Sequence, residues 1–180
     1  MPCQAITAYV KQCGKGISGG VDKLYVIGLD AFNAPIAGTT DLFTTASGTS
    51  IVNKVAVSGT TKFVSVGILK ESVSFKGSAK RDSSTGSFEN QTETSITISN
   101  ISEAAKVFVD NLFMQPVVLL MKLRSGIWVV TGLNGFTELT GVEESTGTKN
   151  GDANGYQITL SGVEDGLTRT IDATYAATIV

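Results

Sequence analysis

The chain of 180 residues contains no histidine. That absence removes serine–histidine and cysteine–histidine nucleophiles, imidazole metal sites and the commonest general base. Carboxylate-only chemistry stays open, as in glycoside hydrolysis. No candidate catalytic pair of acidic residues is expected to share a strand face, however, and the adjacent Glu143 and Glu144 border a Gly/Thr loop as solvated groups. The two cysteines, Cys3 and Cys13, have nine residues between them. Without histidine or further cysteines they cannot complete a zinc set. Synthesis in a cytosol favours free thiols, while a bridge between the two would close a short loop. The glycine-rich segment 13–20 (CGKGISGG) has no strand before it and no helix after it, so it lacks the context of a phosphate-cradling loop. Residues 150–155 (NGDANG) set oxygen side chains at alternate positions, like the opening of a calcium loop. Its first ligand would be Asn150 in place of Asp, and its twelfth would be Ser161 in place of a bidentate Glu. A turn into a strand is the better account. Asn90, Gln91 and Thr92 match the glycosylation acceptor pattern by accident, because no secretory signal is expected. The chemistry-bearing residues therefore predict a protein that is not an enzyme and carries neither cofactor nor metal.

Composition points the same way. Hydrophobic residues make up 42% and charged residues 17%, against roughly 25% charged in an ordinary soluble domain. A surface so poor in charge is solvated by Ser and Thr hydroxyls or covered by neighbours. The formal net charge of −2 leaves no basic surplus for holding phosphates. The densest cationic spots, Lys80 with Arg81 and Lys122 with Arg124, are too sparse to form a patch and read as turn or edge residues that discourage stray strand pairing. The longest apolar run, 117–121, is too short to span a bilayer. Cytosolic synthesis and no membrane partner are expected.

The elements that must position these residues are mostly strands. Residues 1–22, with Gly14, Gly16, Gly19 and Gly20, read as a flexible N-terminal arm, leaving 23–180 as a single β-rich structural domain. Residues 24–29 (LYVIGL) are rich in strand formers, and a loop over 33–50 holds a short strand near Leu42 and Phe43. Short alternating runs follow around Val55 and Val57, 63–69 and 73–75. The polar stretch 76–87 then reads as the long mobile tip of a hairpin whose second arm runs from Phe88 to Ile98. One helix is predicted over about 101–113: Asn100 caps it, Glu103 reaches back, an apolar stripe runs through Ala104, Ala105, Phe108 and Leu112, and Pro116 ends it. The continuous apolar run 117–123 marks a strand covered on both faces. A tight turn at 124–126 leads to a strand over 127–131, and Asn134 with Gly135 predicts a hairpin turn into 136–139. Tyr156, Ile158 and Leu160 alternate with polar residues as a half-buried strand, and a final strand is expected over 167–175. The sum is a mainly β fold, an antiparallel β-sandwich or barrel with one packed amphipathic α-helix.

Residues 89–172 resemble tail-tube and related tail or neck structural proteins of tailed bacteriophages. The resemblance is carried by the strand NQTETSITISN, the helix ISEAAKVFVDNL, the strand VVLLMKL, the hairpin RSGIWVVTG, then LNGFTEL, the loop STGTKNGDANG and the strand YQITLSGVED. It covers about half of the chain, and the N-terminal half does not share it. Such a resemblance implies a β-sandwich or barrel with a flanking helix. It also implies assembly with copies of itself into rings, hexameric as a rule, whose sheets line a channel for genome passage, and contact with other virion tail or neck proteins. Genomic DNA would pass only transiently through the lumen, and the protein would reside in the virion tail after synthesis in the host cytoplasm.

In such rings arms or loops reach the next ring, so the inter-subunit contacts expected on this basis are axial ones: Lys76, Lys80, Arg81, Asp82 and Ser87 in the 76–87 stretch, with Cys13 and Lys15 in the arm. A rival expectation is a carbohydrate-binding or adhesive β-sandwich using Trp128, Tyr156 and Tyr175 as aromatic platforms, or a capsid decoration protein.

Overall fold

The fold rests on a central strand whose two faces are both apolar, as the run VVLLMKL demands. In the computed structural model, which describes residues 19–32, 36, 41–57, 60–134, 137–149 and 154–180, that strand is β7 (Val117–Leu123), with Val117 to Met121 all buried. One edge of β7 pairs with β1 (Val21–Gly28) and the other with β8 (Trp128–Thr131), both antiparallel. Pleating sends alternate side chains to opposite faces. Leu119 and Met121 join Leu24, Val26 and Val129 in one core layer, while Val118 and Leu120 join Ile27 and Val130 in another.

The first layer is closed by α1 (Glu103–Met114), through Ala105, Val109 and Leu112, and by Ile96, Ile158 and Leu160. Those three sit on β6 (Phe88–Ser99) and β10 (Gly155–Glu164). These two strands are the middle of a four-stranded antiparallel half-sheet, completed by β5 (Val73–Arg81) and β9 (Thr137–Ser145) in the order β9-β10-β6-β5. The second layer is closed by β2 (Phe43–Thr45), β3 (Val52–Val55), β11 (Arg169–Ile171) and α2 (Ala173–Ile179), around Val52, Ile171 and Ala176. A short β4 (Val64–Val66) adds to the free edge of β1. The chain is thus mainly β, a sandwich-like arrangement in which one strand pair, β3 with β11, is parallel.

Several sequence expectations are corrected. The stretch 76–87 is not a loop: β5 continues through Lys76, Lys80 and Arg81, so only 82–87 form the tip. Polar residues on an exposed face satisfy a strand as well as a loop when the partner strand supplies the ladder. The helix cap is Ser102, whose hydroxyl accepts from Ala105 N at 3.2 Å, in place of Asn100. Asn100 instead sits at φ 115 and its amide donates to Asn154 O. The single strand expected over 167–175 is β11 followed by a second helix, α2, capped by Asp172 Oδ1 accepting from Tyr175 N at 2.9 Å. The hairpin expected at Asn134 and Gly135 does not form between β8 and β9. β9 pairs with β10 along its length and touches β7 at Val117↔Thr137, so β9 follows β8 on the same edge of β7. Finally, the domain begins before residue 23: Val21 is buried and faces Leu123. Residues 1–18, with Cys3, Cys13 and Lys15, lie outside the described residues, as do Gly135 and Phe136 and most of the 150–155 segment.

Candidate functional site

Two features break the ordinary economy of a closed β fold. One is on the surface, the other at one end of the core.

The surface feature is the half-sheet β9-β10-β6-β5. Its face turned from the core is polar: Lys76 stands opposite Glu93 and Lys80 opposite Glu89 across the β5–β6 ladder, and Ser161 stands opposite Glu138 across β10–β9. Its two outer strands are open over most of their length; at the start of β9, Met114, Gln115 and Pro116 at the end of α1 line a crevice with Glu138 and Leu139. β5 pairs only with β6 among the described residues, and β9, beyond Thr137, pairs only with β10. An unpaired strand edge is a ready template for another chain unless something blunts it. These edges differ in sign. β5 brings Lys76 and Lys80 to the outward face, and β9 brings Glu138 and Glu143 to the same face. The ion pairs within 4.0 Å among the described residues, Arg124–Glu71 and Arg169–Asp165, use none of these four.

Of the residues expected to make contacts, Lys76, Lys80, Arg81, Asp82 and Ser87 are all exposed and lie along β5 or at its tip. Arg81 stands opposite Phe88, its guanidinium 5.4 Å from the ring centroid, and that ring is 68% exposed. Asp82 closes the tip. Its carboxylate accepts from Ser84 N at 2.8 Å and Ser84 Oγ at 2.6 Å, while Asp82 N donates to Ser87 O at 3.0 Å. Hydrogen bonds from Ser84 and Thr85 hold its pKa at about 2, below the usual 3.8. The β9 glutamates were missed as contacts because Glu143 and Glu144 read as solvated groups bordering a loop; the strand in fact runs to Ser145. A β-bulge lies between Glu138 and Glu143: Thr159 faces Gly141 and Leu160 faces Leu139, leaving Thr140 as the extra residue. That extra residue keeps Glu138 and Glu143 on one face although five positions separate them.

The internal feature centres on Glu164. Alternation along β10 puts Glu164 on the row of Tyr156, Ile158 and Leu160, which is the core side. The sequence reading set acidic residues in loops or on polar faces; continuing the alternation through Gly162 would have found this one. Its carboxylate accepts a hydrogen bond from Gly132 N. Burial pushes the Glu164 carboxyl above its usual 4.5, the Gly132 amide pulls it back, Asp165 pushes it up, and the Asn134 backbone and Arg169 pull it down. Gly132 adopts φ +89, and a Cβ there would lie 2.7 Å from Val117 O, so only glycine fits this departure of the chain from β7. On either side of it, the Thr131 and Thr137 hydroxyls are buried without a partner among the described residues. Next to this node an open cleft of about 630 Å³ is lined by Asp41, Leu42, Phe43, Leu133, Asp165 and Arg169, among others. Arg169 is engaged on both sides, 2.7 Å from Asp165 Oδ2 and 4.9 Å from the Phe43 ring centroid. Among the described lining residues Arg169 is the one cation, and it is paired.

The aromatic residues weighed for carbohydrate binding serve the fold. Tyr175 Oη accepts from Val55 N at 2.9 Å and donates to Val55 O, Tyr156 is buried, and Trp128 is half-buried in a stack on Tyr25 with centroids 5.9 Å apart. Among the described residues no group of three or more Cys, Asp or Glu side chains could hold a metal ion, and no helix is long and apolar enough to cross a membrane. No family model matches the chain, and no curated protein matches it in sequence.

Proposed function

We propose that this chain is a structural subunit that assembles with copies of itself into a closed ring or tube, a virion tail-tube or tail/neck component whose channel passes the genome. The observation that carries the assembly half of this reading is the half-sheet left open at both ends. Two open edges on one sheet give a heterologous surface, and heterologous contacts generate rings when the rotation closes. The virion half rests on the sequence resemblance over 89–172, and the low charge content suits a lumen along which DNA slides without being held. Nothing in this mechanism requires bond chemistry: the work is geometric, and its energy comes from ladder hydrogen bonds and burial at the seams.

The test is negative-stain imaging of the purified chain, paired with a mass measurement across a wide concentration range. Closed rings of uniform subunit number are expected. A particle that stays monomeric at every concentration overturns the proposal.

A further inference from the structure

The charges on the two open edges are spaced to meet each other. Consecutive strands in the order β9-β10-β6-β5 are antiparallel, and their number is even. When a second copy is placed beside the first by rotation about an axis along the strands, β5 of one therefore runs antiparallel to β9 of the next. Lys76 and Lys80 are four positions apart. Glu138 and Glu143 are five apart, but the bulge at Thr140 removes one position from the pairing count. Setting Lys76 opposite Glu143 then brings Ser78 opposite Gly141 and Lys80 opposite Glu138, all on the outward face. The inward residues agree as well: Gly77 falls opposite Val142 and Ala79 opposite Leu139. Those two β9 side chains are only partly buried against the core, and small partners leave them room. A one-residue slip would move every lysine to the other face and lose both pairs at once.

We propose that a second copy of this chain docks head to tail on these edges, β5 of one copy pairing antiparallel with β9 of the next, with Lys76 opposite Glu143 and Lys80 opposite Glu138. This deepens the assembly reading and rests on it. Within its own copy each lysine already stands opposite an acidic residue, Glu93 for Lys76 and Glu89 for Lys80. In the seam each lysine is flanked by a carboxylate on both sides, which gives an alternating row of charge across the joint. Like-sign edges repel, so β5 does not pair with β5 nor β9 with β9. The contact is held to one direction, as a closing ring requires.

The test uses charge reversal. One variant carries Lys76→Glu with Lys80→Glu, the other Glu138→Lys with Glu143→Lys. All four sites are exposed or on the outward face, and a thermal melt confirms that each variant folds. Alone, each variant presents like charges on both edges, and its half-assembly concentration should rise by about tenfold or more. Mixed in equal amounts, the two alternate around the ring and assembly returns. The register is read separately by pairing Ser78→Cys with Gly141→Cys in a chain whose Cys3 and Cys13 are serine. Directly opposed strand residues lie about 4.5–5.5 Å apart, within disulfide reach, so an inter-copy crosslink is expected. Rings that form equally well in both reversed variants, or a crosslink that appears only with positions out of register, overturn the seam while leaving assembly standing. A wild-type chain that never assembles fails the earlier reading instead.

Discussion

At the residue scale the most consequential side chain is Glu164, because it is a carboxylate on a row that should be apolar. A half-buried acid of this kind costs free energy when ionised unless donors surround it. Here Gly132 N–H is such a donor, and burial still leaves the carboxyl above its usual value. The sign follows from linkage. With the folded pKa above the unfolded one, the folded chain holds the proton more tightly. The stability this group contributes is fully present below the unfolded value of 4.5 and is lost as pH rises through the folded value. Asp82 runs the other way in a different window: its contribution is present above 3.8 and is lost as pH falls toward about 2. As pH rises from 4.5, Glu164 therefore dominates between these two. Glu164→Gln keeps an acceptor for Gly132 N and cannot ionise. Thermal melts across that range should show wild-type Tm falling relative to the variant as pH rises; parallel curves would refute the assignment.

At the element scale, what was legible is what burial dictates. β7 was read correctly because a strand covered on both faces must be apolar throughout, and α1 because its stripe repeats at helical spacing. The failures share a cause: tertiary contacts decided the matter where the local pattern was neutral. The stretch 76–81 has no apolar face to display, yet it is a strand because β6 offers it a full ladder. The sequence ATYAATI of α2 mixes alanine with β-branched residues. Its helix is settled by the Asp172 cap, by Ala176 at 0% exposure and by Phe63 N donating to Ile179 O. At the start of α1 the chain offers two good capping residues two positions apart, Asn100 and Ser102, and the positive φ of the first leaves the second to cap. Ser102→Ala should therefore cost about 1 kcal/mol, measured by urea titration; a loss within error would mean the cap bond is replaced by water at no cost. The candidate site was half legible. The basic residues were identified by exclusion from a core, while their acidic counterparts were hidden by reading Glu143 and Glu144 as solvated groups bordering a loop and by a bulge that no local signal announces.

At the scale of the whole molecule, seams around a ring and contacts between rings need not use the same residues. The proposed seam strands are β5 and β9. Among the described residues, which begin at Gly19, the first in a strand pair is Val21. Deleting residues 2–18 removes no residue of a described strand pair and keeps Gly20, whose carbonyl accepts from Arg124 N. If the arm supplies axial contacts, as the resemblance implies, the shortened chain should melt within a few degrees of the full one and still form single rings, because ring closure uses only seam edges. It should not stack those rings into tubes. Electron micrographs of the two chains at equal concentration read this directly. Tubes from the shortened chain would place the axial contacts in the folded domain, with the exposed Phe88 beside Arg81 at the β5–β6 tip as the first residues to substitute. Loss of rings along with tubes would place the arm in the seam itself, where a ladder between β5 and β9 would no longer be enough to close the circle.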